Sequence, residues 1–209
     1  AAVVTKVGVA QVGRSTGLVG YWSFNGKDLT DKIYDLSGQG NHAYFYGGAT
    51  SSMKKPGKVG QGVQFGNQVA RYVDAGRPAS LNDIAQKTLC SWIYPKSFGA
   101  AISDATIFSK YAADGEGWWF QLADDDVVQS LYYYQAFASN GNPGRWRTSA
   151  GSIQLNQWQH VCVTYDNGSE LNNPIFYING EATTTTEFAT PSGSLDSGGT
   201  LNKLFIGNY

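Results

Sequence analysis

The sequence predicts an all-β fold built as an antiparallel two-sheet sandwich. One stretch, Gln157 to Gly180, carries most of that prediction. Val161, Val163 and Tyr165 alternate with Cys162 and Thr164, and these residue types suit a pleated strand. Asp166-Asn167-Gly168-Ser169 then supplies turn chemistry, Ile175 to Ile178 reads as a second strand, and Asn179-Gly180 is a tight-hairpin signal. The second observation is composition: 26 glycines fit a chain with many turns, and 42% hydrophobic with 14% aromatic residues are ample for a core. The third is length, because single all-β sandwiches reach 209 residues.

The bulk numbers also exclude. A formal net charge of −1 leaves no basic field to attract nucleic acid. No run approaches the ~18 apolar residues of a membrane span. The lack of a His-x-x-x-His pair or a cysteine cluster argues against zinc. No secretory signal is visible, and a start at Ala1 is compatible with a leader already removed.

Residues 1–16 are expected to stand apart as an arm or linker. Ala1, Val3, Val4, Val7 and Val12 suit one face of a helix, whereas Val7, Val9 and the two glycines suit an extended arm equally well. The sandwich is expected over residues 17–209. Its first strand is read at Leu18 to Phe24, with Trp22 in the core and Asn25-Gly26 turning the chain. In the following loop, Asp35 to Ala43, glycines 38 and 40 let the backbone turn so that carbonyls point inward, and Asp35 and Asn41 add side-chain oxygens. Calcium takes six to eight oxygens from such a mix, so Asp35 and Asn41 are the candidate metal ligands. The same residues equally suit a tight turn held by Asp and Asn hydrogen bonds to backbone.

Tyr44 to Tyr46 reads as a short strand and residues 47–62 as a loop. Val63 to Phe65 and Arg71 to Val73 read as a pair, and Ser80 to Ile84 as one helical turn capped by Ser80 or Asn82. Thr88 to Tyr94 is a central strand, with Leu89, Ser91 and Ile93 on one face and Cys90, Trp92 and Tyr94 on the other. Thr106 to Lys110 resumes the sheet. Asp124-Asp125-Asp126 reads as a turn or a surface cation site. In Leu131 to Phe137, alternation sets Tyr133 opposite to Tyr132 and Tyr134. Exposed Tyr and Trp beside polar groups are what sugar rings stack on, and the contact set is placed at Trp118, Tyr133 and Trp146. Residues 181–200 read as a strand and a loose loop, and Leu204 to Ile206 as the last strand. Trp158, just before the central hairpin, is expected to plug the end of the core.

Several segments together resemble laminin-G-like and pentraxin-like jelly rolls of the concanavalin A-like lectin/glucanase superfamily. They are GLVGYWSFNG (17–26), DLSGQGNHA (35–43), GKVGQGVQFGN (57–67), YVDAG (72–76), TLCSWIYP (88–95), TIFSKYA (106–112), LNQWQHVCVTYDNGS with FYINGE (155–181) and LFIGN (204–208). The resemblance implies a jelly-roll topology. It implies a disulfide between Cys90 and Cys162, against the alternative of two buried free thiols, and with it an oxidising, secreted or cell-surface setting. It implies a structural calcium at the Asp35 to Ala43 loop. The pentraxin double-calcium site is not implied, because Gly115 follows Asp114 where an Asn is expected. Relatives usually continue with a further strand pair after the last strand, which is missing here; a cut chain, an end that lies beyond this sequence, or a strand supplied by a neighbouring chain would each account for it. The first 16 residues weakly resemble the tail of a type IV pilin-like stem helix.

For function, the sequence lacks an E-x-D-x-E-like strand, a Gly-x-Ser-x-Gly elbow, a phosphate loop and a His/Cys pairing, which argues against catalysis and makes a glycan-cleaving enzyme the least favoured reading. The favoured expectation is a non-catalytic extracellular recognition or adhesion module that binds glycans or a surface protein, with calcium-supported loops. The alternative is a self-assembling structural subunit of a surface fibre or pilus-like filament.

Overall fold

A computed structural model describes residues 16–30, 32–47, 53–65, 71–82, 84–98, 105–111, 116–123, 129–137, 141–193 and 202–208. The expectations at residues 1–15, Asp114 and Asp124 to Asp126 lie outside them. The chain is an all-β antiparallel sandwich. Its strands are β1 (Tyr44–Tyr46), β2 (Lys54–Pro56), β3 (Gln61–Val63), β4 (Arg71–Asp74), β5 (Gln86–Ile93), β6 (Thr106–Tyr111) and β7 (Gly117–Ala123). They continue as β8 (Ser130–Gln135), β9 (Gly144–Thr148), β10 (Gln159–Asp166), β11 (Ile175–Ile178), β12 (Glu181–Thr183), β13 (Thr185–Ala189) and β14 (Phe205–Asn208).

Among the described residues, one sheet has eight strands in the order β1-β4-β14-β6-β7-β8-β9-β13, and the facing sheet has four, β12-β11-β10-β5. The central hairpin forms as the sequence predicts, with Val163 opposite Phe176 and Val161 opposite Ile178. Asn179 and Gly180 connect β11 to β12 with φ of 54° and 91°. This is the pair of left-handed residues that a two-residue hairpin of matching twist requires.

Four local expectations change. Leu18 to Phe24 forms no strand and joins the fold through a lone bridge from Trp22 to Asp35. Phe24, at φ 53°, leaves the extended region there. Val63 does not pair with the Arg71 segment. Gln61–Val63 folds back on Lys54–Pro56 as a hairpin, and β4 instead lies between β1 and β14. The helical turn is a 3-10 turn at Ala79–Leu81 with no side-chain cap, because its N-cap position is Pro78; the Ser80 hydroxyl lies within the turn and is engaged with Asn41. Cys90 lies on an edge strand, since β5 is paired only with β10 among the described residues.

The core lies between the sheets. Val161, Val163, Tyr165 and Phe176 of the small sheet meet Phe120, Leu131, Tyr133, Trp146 and Val73 of the large one. Aromatic packing dominates: Tyr165 lies 5.3 Å from Tyr133 and 5.2 Å from Trp146 between ring centroids. Burial holds the Tyr133 hydroxyl well above its ordinary pKa, with the neighbouring Tyr165 adding to the effect. The neutral hydroxyl donates to Gln135 at 3.0 Å, which satisfies it without a charge in the core.

Candidate functional site

Trp118, Tyr133 and Trp146, the residues chosen from sequence as ligand contacts, are core. They are 4%, 0% and 0% exposed and belong to the main apolar cluster. The Trp146 indole N–H donates inward to Asn173 at 2.6 Å and to Glu187 at 3.3 Å. Their sequence neighbours take the opposite face: Trp119, Tyr132 and Tyr134 pack in a separate cluster. Strand alternation makes a one-residue shift a change of face, so the aromatic triplets were sound signals assigned to the wrong side.

The outer face of the four-stranded sheet presents aromatic rings to solvent. Cys90, Trp92 and Tyr94 share the outward face of β5, as their spacing predicts, and Trp92 and Tyr94 are 44% and 37% exposed. His160 of β10 stands directly across from Trp92, and the two rings lie 5.2 Å apart. One step along, Tyr94 packs at 5.3 Å from Trp158, which is half-buried against it rather than plugging the core. Lys58 lies over the Trp92 ring at 5.3 Å and Lys96 over the Tyr94 ring at 4.6 Å. Such exposed cation–π contacts are worth only about 0.5–1 kcal/mol, so an incoming ring can displace either lysine at small cost. The platform therefore combines ring faces with ammonium and imidazole donors.

A disulfide joins Cys90 to Cys162 beside this platform. The register puts the two residues directly opposite each other, with Cα atoms 4.2 Å apart. Side chains at such a closely spaced cross-strand pair meet face to face. His160 completes a group whose ligand atoms lie within 4.8 Å of one another. Both sulfurs are bonded to each other, so the group offers a metal only the imidazole.

The Asp35 loop is built as a hydrogen-bond cage. One carboxylate oxygen accepts from the Tyr21 and Ser37 amides, each at 2.9 Å. The other accepts from the Ser37 hydroxyl at 2.7 Å and the Asn41 amide at 2.9 Å. Asn41 is spent as well: its side-chain amide donates to the Val19 carbonyl at 2.6 Å and exchanges hydrogen bonds with Ser80, and its backbone carbonyl accepts from the Trp22 indole at 2.9 Å. Gly38 and Gly40, at φ 92° and 74°, make the turn that aims these amides inward. Burial opposes the charge on Asp35, but the Ser37, Tyr21 and Asn41 hydrogen bonds outweigh it and hold the carboxyl below its ordinary value. Four donors occupy the lone pairs that a cation needs. In this arrangement Asp35 and Asn41 do not fit a calcium site, and the tight-turn alternative describes what they do.

A laminin-G family model of the concanavalin A-like lectin/glucanases superfamily matches residues 65–209. No curated protein matches the chain. The match takes in the small sheet, every strand of the large sheet except β1, the disulfide and most of the small-sheet platform. The chain belongs to the laminin-G branch of the concanavalin A-like lectin/glucanases superfamily.

Proposed function

We propose that this domain is a non-catalytic recognition and adhesion module, secreted or displayed at the cell surface, that takes a carbohydrate or a protein surface on the outer face of its four-stranded sheet. The observation that supports it is the exposure of Trp92 and Tyr94 beside His160, Lys58 and Lys96. Single exposed apolar side chains are ordinary, but rings grouped on one sheet face beside polar donors suit a sugar, whose apolar face stacks while its hydroxyls bond. The superfamily is often associated with carbohydrate or ligand binding, which agrees. The disulfide supports an oxidising compartment. The absence of an E-x-D-x-E-like strand supports binding without cleavage. Calorimetric titration of a glycan panel tests this: a binder of the wild type is expected to lose tenfold or more in the Trp92→Ala/Tyr94→Ala variant. A variant that binds the same glycan equally well overturns the placement.

A second reading, a subunit of a surface fibre, is favoured by one specific feature. The outer edge of β5 pairs with no strand among the described residues, and a cavity of about 2530 Å³ opens between it and the segment from Thr16 to Asn25. An open edge beside an apolar trough accepts an added strand. Sedimentation of the chain with and without residues 1–16 separates the readings, since concentration-dependent assembly lost on that deletion supports the fibre.

A further inference from the structure

The small-sheet platform also carries a group of metal-ligating side chains. Cys90 of β5 lies directly across from Cys162 of β10, and His160 stands two residues before Cys162 on the same face of the same strand. The His160 Nδ1 atom is 3.9 Å from the Cys162 sulfur, and both sulfurs and a ring nitrogen lie within 4.8 Å of one another. Among the described residues no other group of three or more His, Cys, Asp or Glu side chains is so placed. Cys90 and Cys162 are 72 residues apart, so no short motif announces the set; strand register assembles it.

In the disulfide the two sulfurs are spent on each other. The bond is open to attack from one side. Cys90 is exposed and sits on β5, which pairs only with β10 among the described residues, whereas Cys162 is buried. A thiolate of a dithiol reductant attacks the Cys90 sulfur, the bond to Cys162 breaks, and Cys162 leaves as a thiolate beside the His160 imidazole. The second thiol of the reductant then attacks the mixed disulfide and frees Cys90. Two electrons pass to the protein, the reductant becomes its own disulfide, and its two thiol protons end on the two cysteines. The eight aligned residue pairs of β5 and β10 keep the freed side chains facing each other.

We propose that the reduced domain binds one zinc ion through Cys90, Cys162 and His160, so that the disulfide is the locked state of a redox-switched metal site. Thiolate sulfur and imidazole nitrogen are the donors zinc favours. Tetrahedral Zn–S and Zn–N bonds of about 2.3 and 2.1 Å set the ligand atoms roughly 3.5–3.8 Å apart. Atoms already within 4.8 Å of one another reach that spacing by side-chain rotation. Binding releases the two cysteine protons to solvent, and the two thiolates then balance the charge of the ion. The fourth position opens to solvent beside the exposed Trp92 ring and takes a water. Zinc binding requires no glycan on the platform.

The test is titration of the full chain with cobalt(II), a coloured stand-in for zinc, before and after reduction by a dithiol that is then removed under argon. The reduced chain is expected to take one cobalt, with sulfur-to-metal charge-transfer absorption in the near ultraviolet and tetrahedral bands in the visible, both erased by zinc. The oxidised chain is expected to show neither. Cys90→Ser and His160→Gln, each reduced, are expected to bind about tenfold or more weakly. Zinc is expected to raise the melting temperature of the reduced chain by mass action and to leave that of the oxidised chain unchanged. No charge-transfer band in the reduced chain, the same bands in the oxidised chain, or unchanged affinity in either variant would each overturn the proposal. Should reduction unfold the metal-free chain, zinc is expected to restore the native circular dichroism, and failure to restore it would overturn the proposal equally.

Discussion

Replacing both Cys90 and Cys162 with alanine removes the cross-strand bond without leaving a lone thiol. The two residues are 72 apart in sequence. On the chain-entropy account, closing a loop of that length lowers the entropy of the unfolded chain by about 15 cal/mol/K, or about 4 kcal/mol at room temperature. Little packing is lost alongside, because Cys90 is exposed and both side chains point to the outer face rather than into the core. The remaining contacts hold β5 on β10 through eight aligned residue pairs, so the fold should survive. For a chain of this size the expected fall in melting temperature is on the order of 10 °C. Scanning calorimetry of the double variant measures it, and wild type heated with a dithiol reductant should fall by a similar amount. A shift under about 3 °C, with native circular dichroism, would refute the reasoning that the bond acts by constraining the unfolded chain.

The remaining predictions concern burial and charge. Trp146→Ala should destabilise by about 3–5 kcal/mol, because the ring is fully enclosed, whereas Trp92→Ala should stay within about 1 kcal/mol; denaturant melts compare them, and equal losses would contradict the assignment of faces. The lowered pKa of Asp35 makes its cage a source of stability that is fully present above the unfolded carboxylate value near pH ~4 and is lost as pH falls through its lower folded value. Melts of wild type and Asp35→Asn between pH 7 and 2 should therefore converge at the acid end, and a constant gap would show that the charge does not matter. Because four protein donors already fill the Asp35 carboxylate, adding calcium or a chelator should leave the melting temperature unchanged through this loop. A calcium-dependent rise that Asp35→Asn abolishes would show that the donors turn away for a metal.

Much of this protein was legible before any coordinates. Turn chemistry at Asp166 to Ser169 and at Asn179-Gly180 is local, and a local signal is complete within the residues that carry it, so the central hairpin and its strands were predictable. Alternation in β5 also sorted Cys90, Trp92 and Tyr94 from Leu89, Ser91 and Ile93, because successive side chains of a strand point to opposite faces. The resemblance in TLC and HVC paired the cysteines.

Other decisions belonged to tertiary structure. Across β7, β8 and β9 both faces carry aromatic residues, so periodicity shows which side chains travel together but not which set points inward. The second sheet breaks that tie by covering Trp118, Tyr133 and Trp146. It leaves Trp119, Tyr134 and Arg145 on the opposite face. The Asp35 loop shows the same division. Its oxygens suited a cation or a turn equally well by composition, and the choice rested on where the amides of Tyr21, Ser37 and Asn41 point. One of these amides, that of Tyr21, comes from an irregular segment fourteen residues earlier in the chain. Sequence alone determined the fold class and the strands of the central hairpin, because hydrophobic period and turn propensity act over a few residues. The identity of the exposed faces and the occupant of each polar group were settled only by packing between segments distant in the chain.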